Sequence, residues 1–111
     1  MATEMTRWER VRATLKGQDV DRVPVSMWRH FFTKETSAES LAEAMLCFQS
    51  RFDWDFMKVN PRASYHVEDW GVRVKHAGDA SPMVIETPVK TPTDWLKLRV
   101  LDINRGCLGD T

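Results

Sequence analysis

The stretch DRVPVSMWRHF, residues 21–31, decides the predicted fold of this chain. Its apolar side chains occur at every second position, at Val23, Val25 and Met27. This alternation is typical of a β-strand with one apolar face. The sequence therefore predicts a strand over 22–28, and this strand is followed directly by Arg29 and His30, whose side chains prefer water or an opposite charge.

Helices are predicted on both sides of this strand. The capping-box pattern Thr6–Glu9, followed by apolar residues at helical spacing, predicts a helix over 6–16. A second such pattern, Thr36–Glu39, predicts a helix over 37–52, whose apolar stripe consists of Leu41, Met45, Phe48 and Phe52. The stretch DWDFMKVNP follows this helix and predicts another short strand over 54–59.

The order strand, helix, strand implies parallel pairing, because the crossover is too long for a hairpin. The expected local architecture is a right-handed βαβ unit, which belongs to an α/β layer fold or a barrel. Alternating residues on either side of a turn then predict a β-hairpin excursion over 71–88, and an amphipathic pattern predicts a short helix over 92–99. No repeat is present, and the 111 residues fit one small domain.

Composition excludes several partners and locations. Sixteen basic residues balance sixteen acidic ones, so no global field favours nucleic acid or an anionic membrane. The N-terminus is charged and lacks an apolar signal region, and no apolar run approaches the ~20 residues that span a bilayer. Cys47 and Cys107 stand in no metal-ligand spacing, and reduced thiols in a cytoplasmic protein are the simplest interpretation.

The candidate site lies where the two predicted strands end. Arg29 and His30 follow the first strand, and Lys58 and Asn60 lie at the end of the second. Ligands of parallel α/β folds bind at the carboxyl ends of the strands, and these side chains would suit an anionic ligand that carries a carboxylate. Arg29 is the best bidentate partner. Basic surface residues placed by chance explain the same pattern, and the spacing alone leaves both interpretations open.

Four segments together resemble the beginning of the uroporphyrinogen decarboxylase family: TRWERVRATLKGQDVDRVPVSMWRHF (6–31), FDWDFMKVNP (52–61), EDWG (68–71) and PMVIETPVKTPTDWLKL (82–98). The resemblance covers nearly the whole chain in the right order. Members of that family are (β/α)8 barrels that remove carboxylates from porphyrinogen side chains without a metal or organic cofactor. The resemblance implies that this chain is the N-terminal part of such a TIM barrel, with a carboxylated tetrapyrrole as its small-molecule ligand.

The resemblance also assigns roles to particular residues. Arg29 falls on the arginine that holds substrate carboxylates in the family, whereas a second arginine of that stretch would fall near Thr33 and is missing. The central aspartate of the family, which binds the pyrrole N–H groups, would fall at Asn60. Asparagine accepts a hydrogen bond but supplies no negative charge to steady a protonated pyrrole. These two departures argue against uroporphyrinogen itself as the substrate.

Three functions follow as alternatives. The first is a carboxy-lyase of the superfamily, with no cofactor in this segment. The second is a relative that transfers methyl groups, with a corrinoid protein as partner and zinc bound in a C-terminal half. The third is a non-enzymatic remnant or binding module. A full barrel takes about 250 residues. We therefore expect this chain to be an N-terminal fragment that is inactive alone, and a homodimer stays open for the full-length form.

Overall fold

The computed structural model describes residues 3–110, and its elements divide between two compact units. The first unit contains the described residues up to 29 together with 45–59, and the second contains 30–44 and the residues from 60 onward. The single domain that the sequence predicts stays a prediction. The helices and strands are α1 (Arg7–Leu15), α2 (Ala38–Phe52), α3 (Tyr65–Glu68), β1 (Arg73–Lys75), β2 (Met83–Glu86), a 3₁₀ helix (Pro92–Lys97) and α4 (Gly106–Gly109).

Both long helices begin where hydroxyl side chains cap them. The Thr6 hydroxyl accepts the Glu9 N–H at 3.3 Å, and the Glu9 carboxylate accepts the Thr6 N–H at 2.9 Å, which is the predicted capping box. α2 is capped by Ser37, whose hydroxyl accepts the Ser40 N–H at 3.3 Å, rather than by Thr36. Each helix starts and ends within one residue of its predicted range, because these signals act over only three or four residues.

The two predicted parallel strands are not formed as strands. The structure assigns neither 22–28 nor 54–59 to a strand, although these two ranges, the paired segments, lie side by side in the first unit. The Asp55 N–H donates to the Val25 carbonyl at 2.9 Å. A regular ladder does not continue, because the Val25 N–H donates to the Asp55 carboxylate at 2.7 Å and Pro24 has no N–H to give. The (β/α)8 barrel stays a prediction.

A network of charges, buried except at Arg22, joins the paired segments to α1. The Asp55 side chain is 1% exposed and accepts hydrogen bonds from Arg22 at 2.5 and 2.9 Å and from Arg10 at 2.6 Å. Arg10 also donates to both carboxylate oxygens of Asp21, each at 2.7 Å. Every charge in this set has an opposite partner, which burial of ions requires. We call Arg10, Asp21, Arg22 and Asp55 the Arg10 network.

The second unit contains an antiparallel hairpin inside the predicted range 71–88. β1 pairs with β2 in the register Arg73↔Glu86, Val74↔Val84 and Lys75↔Met83, with an irregularity between Arg73 and Val74. The 3₁₀ helix lies within the predicted helix 92–99, and Thr91 and Asp94 cap it reciprocally. A 3₁₀ helix is shorter and tighter than the predicted α-helix, as is common for one-turn or two-turn connectors.

Few apolar side chains are buried. Among residues 3–110, the buried apolar side chains are Ala13 and Leu41. The predicted inner face of the first segment is largely exposed, with Val23 at 73% and Met27 at 60%. Along the predicted stripe of α2, exposure increases towards Phe52, which is 50% exposed although its ring packs 5.0 Å from that of Phe48. Within the described residues, no helix combines the length and the apolar character that crossing a membrane requires.

Replacement of Asp55 by Asn tests how much the Arg10 network contributes to the free energy of unfolding. Asparagine cannot neutralise two guanidinium groups, so we expect the free energy of unfolding to fall by about 3 kcal/mol or more. Asp53→Asn is the matched control, since the Asp53 side chain is 69% exposed and pairs with an exposed Arg7, and it should cost less than about 1 kcal/mol. Denaturant unfolding followed by tryptophan fluorescence measures the free energy of unfolding of both variants. Equal losses of stability in Asp55→Asn and Asp53→Asn would contradict the stabilising role of the Arg10 network.

The same network predicts the direction of acid sensitivity. Hydrogen bonds from Arg22 hold the pKa of the Asp55 carboxyl well below its usual range, and Arg10 does so for Asp21. A carboxyl whose pKa is lower in the folded state than in the unfolded state stabilises the fold at pH values above its unfolded pKa, which is about 3.9. This stabilisation is lost as the pH falls towards the pKa of the folded state. The denaturation midpoint should therefore decrease between about pH 5 and about pH 2. Asp55→Asn should flatten that slope.

Candidate functional site

The four predicted site residues fall into two pairs. Arg29 and Lys58 belong to the first unit, and His30 and Asn60 belong to the second. The surroundings of Arg29 and Lys58 are therefore described separately from those of His30 and Asn60.

The ends of the paired segments meet in the first unit. The Lys58 ammonium group lies 3.5 Å from the centroid of the Trp28 ring, which is a close cation–π contact. Before these ends, the Ser26 hydroxyl donates to the Phe56 carbonyl at 2.6 Å and joins the two segments again. The side chain that ends one segment thus holds the cation at the end of the other.

Lys58 contacts Trp28, and Arg29 follows Trp28 directly in the chain; we call these three residues the segment-end cluster. All three residues are exposed, and Trp28 is 48% exposed. The cluster contains an indole ring, the ammonium group that lies over this ring and a guanidinium group. Such groups bind a ligand that has a flat apolar body and negatively charged side chains, since the ring stacks and the cations pair with carboxylates. Trp28 was not among the predicted binding residues, although its place before Arg29 was visible in the sequence.

Asn60 is the most deeply placed of the four predicted residues. It is 6% exposed, and its Nδ2 atom is buried with no hydrogen-bond partner. A buried donor without an acceptor costs stability, and native proteins keep few of them. The buried amide N–H of Asn60 therefore lacks a hydrogen-bond acceptor in the folded chain.

His30 contacts a buried carboxylate that the sequence analysis missed. Its Nδ1 atom lies 2.6 Å from Oε1 of Glu35, a residue that is 3% exposed. Glu35 also accepts the backbone N–H of Phe31 at 3.1 Å and that of Ala63 at 2.8 Å. Glu35 therefore contacts the imidazole of His30 and two backbone N–H groups at the same time. Glu35 stands in a polar stretch before α2, and no local pattern marks it as buried.

Other charged groups of the second unit serve its structure. The Asp69 carboxylate accepts the N–H of Leu108 at 2.7 Å and that of Cys107 at 2.9 Å, which lowers the pKa of Asp69 and caps α4. Burial raises the pKa of the Cys107 thiol and makes it a poor nucleophile. Arg62 pairs with Glu68. Within residues 3–110, no group of three or more His, Cys, Asp or Glu side chains is arranged to hold a metal ion.

No protein-family model matches the chain, and no curated protein or solved structure matches it either. The resemblance to the uroporphyrinogen decarboxylase family therefore depends on the quoted segments, and family membership stays a prediction.

Asn60→Leu tests whether the buried amide of Asn60 stabilises or destabilises the folded chain. Leucine has a similar size and no donor, so this variant should be more stable than the native chain by about 1 kcal/mol. The control is Asn104→Leu, because Asn104 is exposed and its amide donates to Asp102 at 3.4 Å; this change should give no gain. Denaturant unfolding measures both variants. A loss of stability in Asn60→Leu would mean that the amide already has a stabilising partner.

Proposed function

We propose that this chain is the N-terminal part of a cytoplasmic enzyme of the uroporphyrinogen decarboxylase superfamily, a carboxy-lyase that acts on a carboxylated tetrapyrrole. The observation that carries the proposal is the ordered series of four similar segments along the chain. The hydrogen bond between Asp55 and Val25 supports it, because the first and second strands of such a barrel are neighbours. The contact between Trp28 and Lys58 supports the proposal as well, because it joins the ends of the two paired segments.

The segment-end cluster would bind the substrate through its carboxylates. The guanidinium group of Arg29 presents parallel N–H donors that match the two oxygens of one carboxylate. Lys58 supplies a second positive charge, and the Trp28 ring supplies a flat surface against which a tetrapyrrole edge can stack. Decarboxylation then releases CO₂, and the electron pair of the broken C–C bond forms the new C–H bond with a proton from solvent. The chain's contribution at this stage is to hold the remaining carboxylates.

Asn60 favours a second candidate within the same superfamily. An amide donor that is buried without a partner suits a ligand that offers an acceptor, whereas pyrrole N–H groups are themselves donors. A corrinoid carries side-chain amide carbonyls and no pyrrole N–H. The alternative function is therefore methyl transfer with a corrinoid protein as partner, where zinc would be held by residues outside this segment.

Arg29→Lys tests the carboxylate-binding role. Lysine keeps the charge but loses the planar fork, so the affinity for an octacarboxylate porphyrin should fall about tenfold, or about 1.4 kcal/mol. Arg12→Lys is the matched control, since Arg12 is an exposed arginine near the end of α1, and its affinity should equal that of the native chain. Fluorescence titration of the porphyrin measures binding.

Three ligands separate the alternatives in the same assay. The lyase proposal expects the carboxylate porphyrin to bind and a matched porphyrin with neutral amide side chains to bind weakly. The methyl-transfer candidate expects hydroxocobalamin to bind more tightly than either porphyrin. Failure of all three ligands, or equal affinities of Arg29→Lys and the native chain for the carboxylate porphyrin, would contradict the proposed function and leave a non-enzymatic remnant or binding module.

A further inference from the structure

The ammonium group of Lys58 occupies the position that a stacking ligand would take. It lies 3.5 Å from the centroid of the Trp28 ring, so it covers one face of the indole. Flat groups stack on an aromatic ring at about the same separation, near 3.5 Å. Lys58 and the flat body of a ligand therefore cannot contact this face of Trp28 at the same time.

The backbone next to this contact is held in place, whereas the lysine side chain is exposed. The Ser26 hydroxyl donates to the Phe56 carbonyl at 2.6 Å, two positions before Trp28 in one paired segment and two positions before Lys58 in the other. Lys58 is exposed, and its ammonium group is carried on a flexible four-carbon stem. The ammonium group can thus leave the ring while the paired segments stay in place.

The positive charge of Lys58 is not neutralised by the chain. Within residues 3–110, its ammonium group contacts the Trp28 ring and pairs with no carboxylate. An exposed cation–π contact changes an affinity by only about two- to fivefold. A charge-assisted hydrogen bond to a carboxylate is stronger. A ligand carboxylate can therefore offset the loss of the ring contact, whereas a neutral ligand cannot.

We propose that Lys58 is a specificity-determining residue that shields the Trp28 ring until an anionic ligand draws its ammonium group away. The ammonium group then pairs with a ligand carboxylate, and the flat body of the ligand stacks on the uncovered face of the ring. A neutral flat ligand has to displace the cation without this compensation and binds more weakly. The inference rests on the proposed function, because the ligand is the carboxylated tetrapyrrole of the segment-end cluster.

Lys58→Ala separates shielding from simple attraction, because the two porphyrins should respond in opposite directions. Alanine uncovers the ring, so the porphyrin with neutral amide side chains should bind about two- to fivefold more tightly than to the native chain. The octacarboxylate porphyrin should bind about tenfold more weakly, because it loses a charged partner. Lys58→Arg keeps a cation that stacks on the ring and should retain the native preference. Fluorescence titration measures all four affinities.

Lys16→Ala is the matched control for the loss of one positive charge. Lys16 is an exposed lysine of the first unit, at the end of α1, and its replacement should leave both affinities unchanged. If Lys58 only joined the two paired segments, its loss would weaken the binding of both porphyrins. Weaker or unchanged binding of the amide porphyrin by Lys58→Ala would therefore overturn the inference and leave the proposed function intact.

Nuclear magnetic resonance checks the shielded state in the native chain, without a variant. The side-chain methylene protons of Lys58 next to the ammonium group should be shifted upfield by the ring current of Trp28, and Trp28→Leu should abolish this shift. Absence of the shift in the native chain would overturn the inference, whatever the porphyrins do. If the native chain binds neither porphyrin, the proposed function and this inference are both wrong.

Discussion

The buried contact between Arg10 and Asp55 is the interaction on which the first unit depends. Asp55 accepts from two guanidinium groups and from the Val25 N–H, so one carboxylate joins α1 to both paired segments. Few apolar side chains are buried in the described residues, so ion pairs and hydrogen bonds of charged side chains form an unusually large part of the tertiary contacts. Such pairs are sensitive to the loss of either partner, because the remaining charge stays buried.

The same carboxylate explains both the position and the irregularity of the paired segments. It brings the segments together, and it also takes a backbone N–H that a strand ladder would use. Beyond this point the segments continue to Trp28 and Lys58, whose contact brings an aromatic face and a cation to one place. The candidate ligand site thus depends on the Arg10 network, although none of the four network residues belongs to the site.

In the second unit, Glu35 has a role comparable to that of Asp55. It is a buried carboxylate that accepts backbone N–H groups from two stretches of chain, and its Oε1 atom lies 2.6 Å from Nδ1 of His30. Both carboxylates arrange residues that the sequence analysis selected for their chemistry. Neither was predicted as a buried residue, because an acidic side chain is usually solvated.

The sequence by itself determined the elements whose hydrogen bonds are local. The Thr6 capping box and the helical spacing defined α1, helical spacing defined α2, and the alternation around a turn placed the hairpin. Each of these contacts joins residues close in the chain or across one turn. The tertiary structure alone decided that 22–28 and 54–59 are paired without a strand ladder, and that His30 belongs to Glu35. The first outcome depends on Asp55, whose partner Arg10 lies 45 positions away, and the second depends on Glu35, which also accepts the N–H of Ala63, 28 positions away. No short-range pattern encodes such contacts.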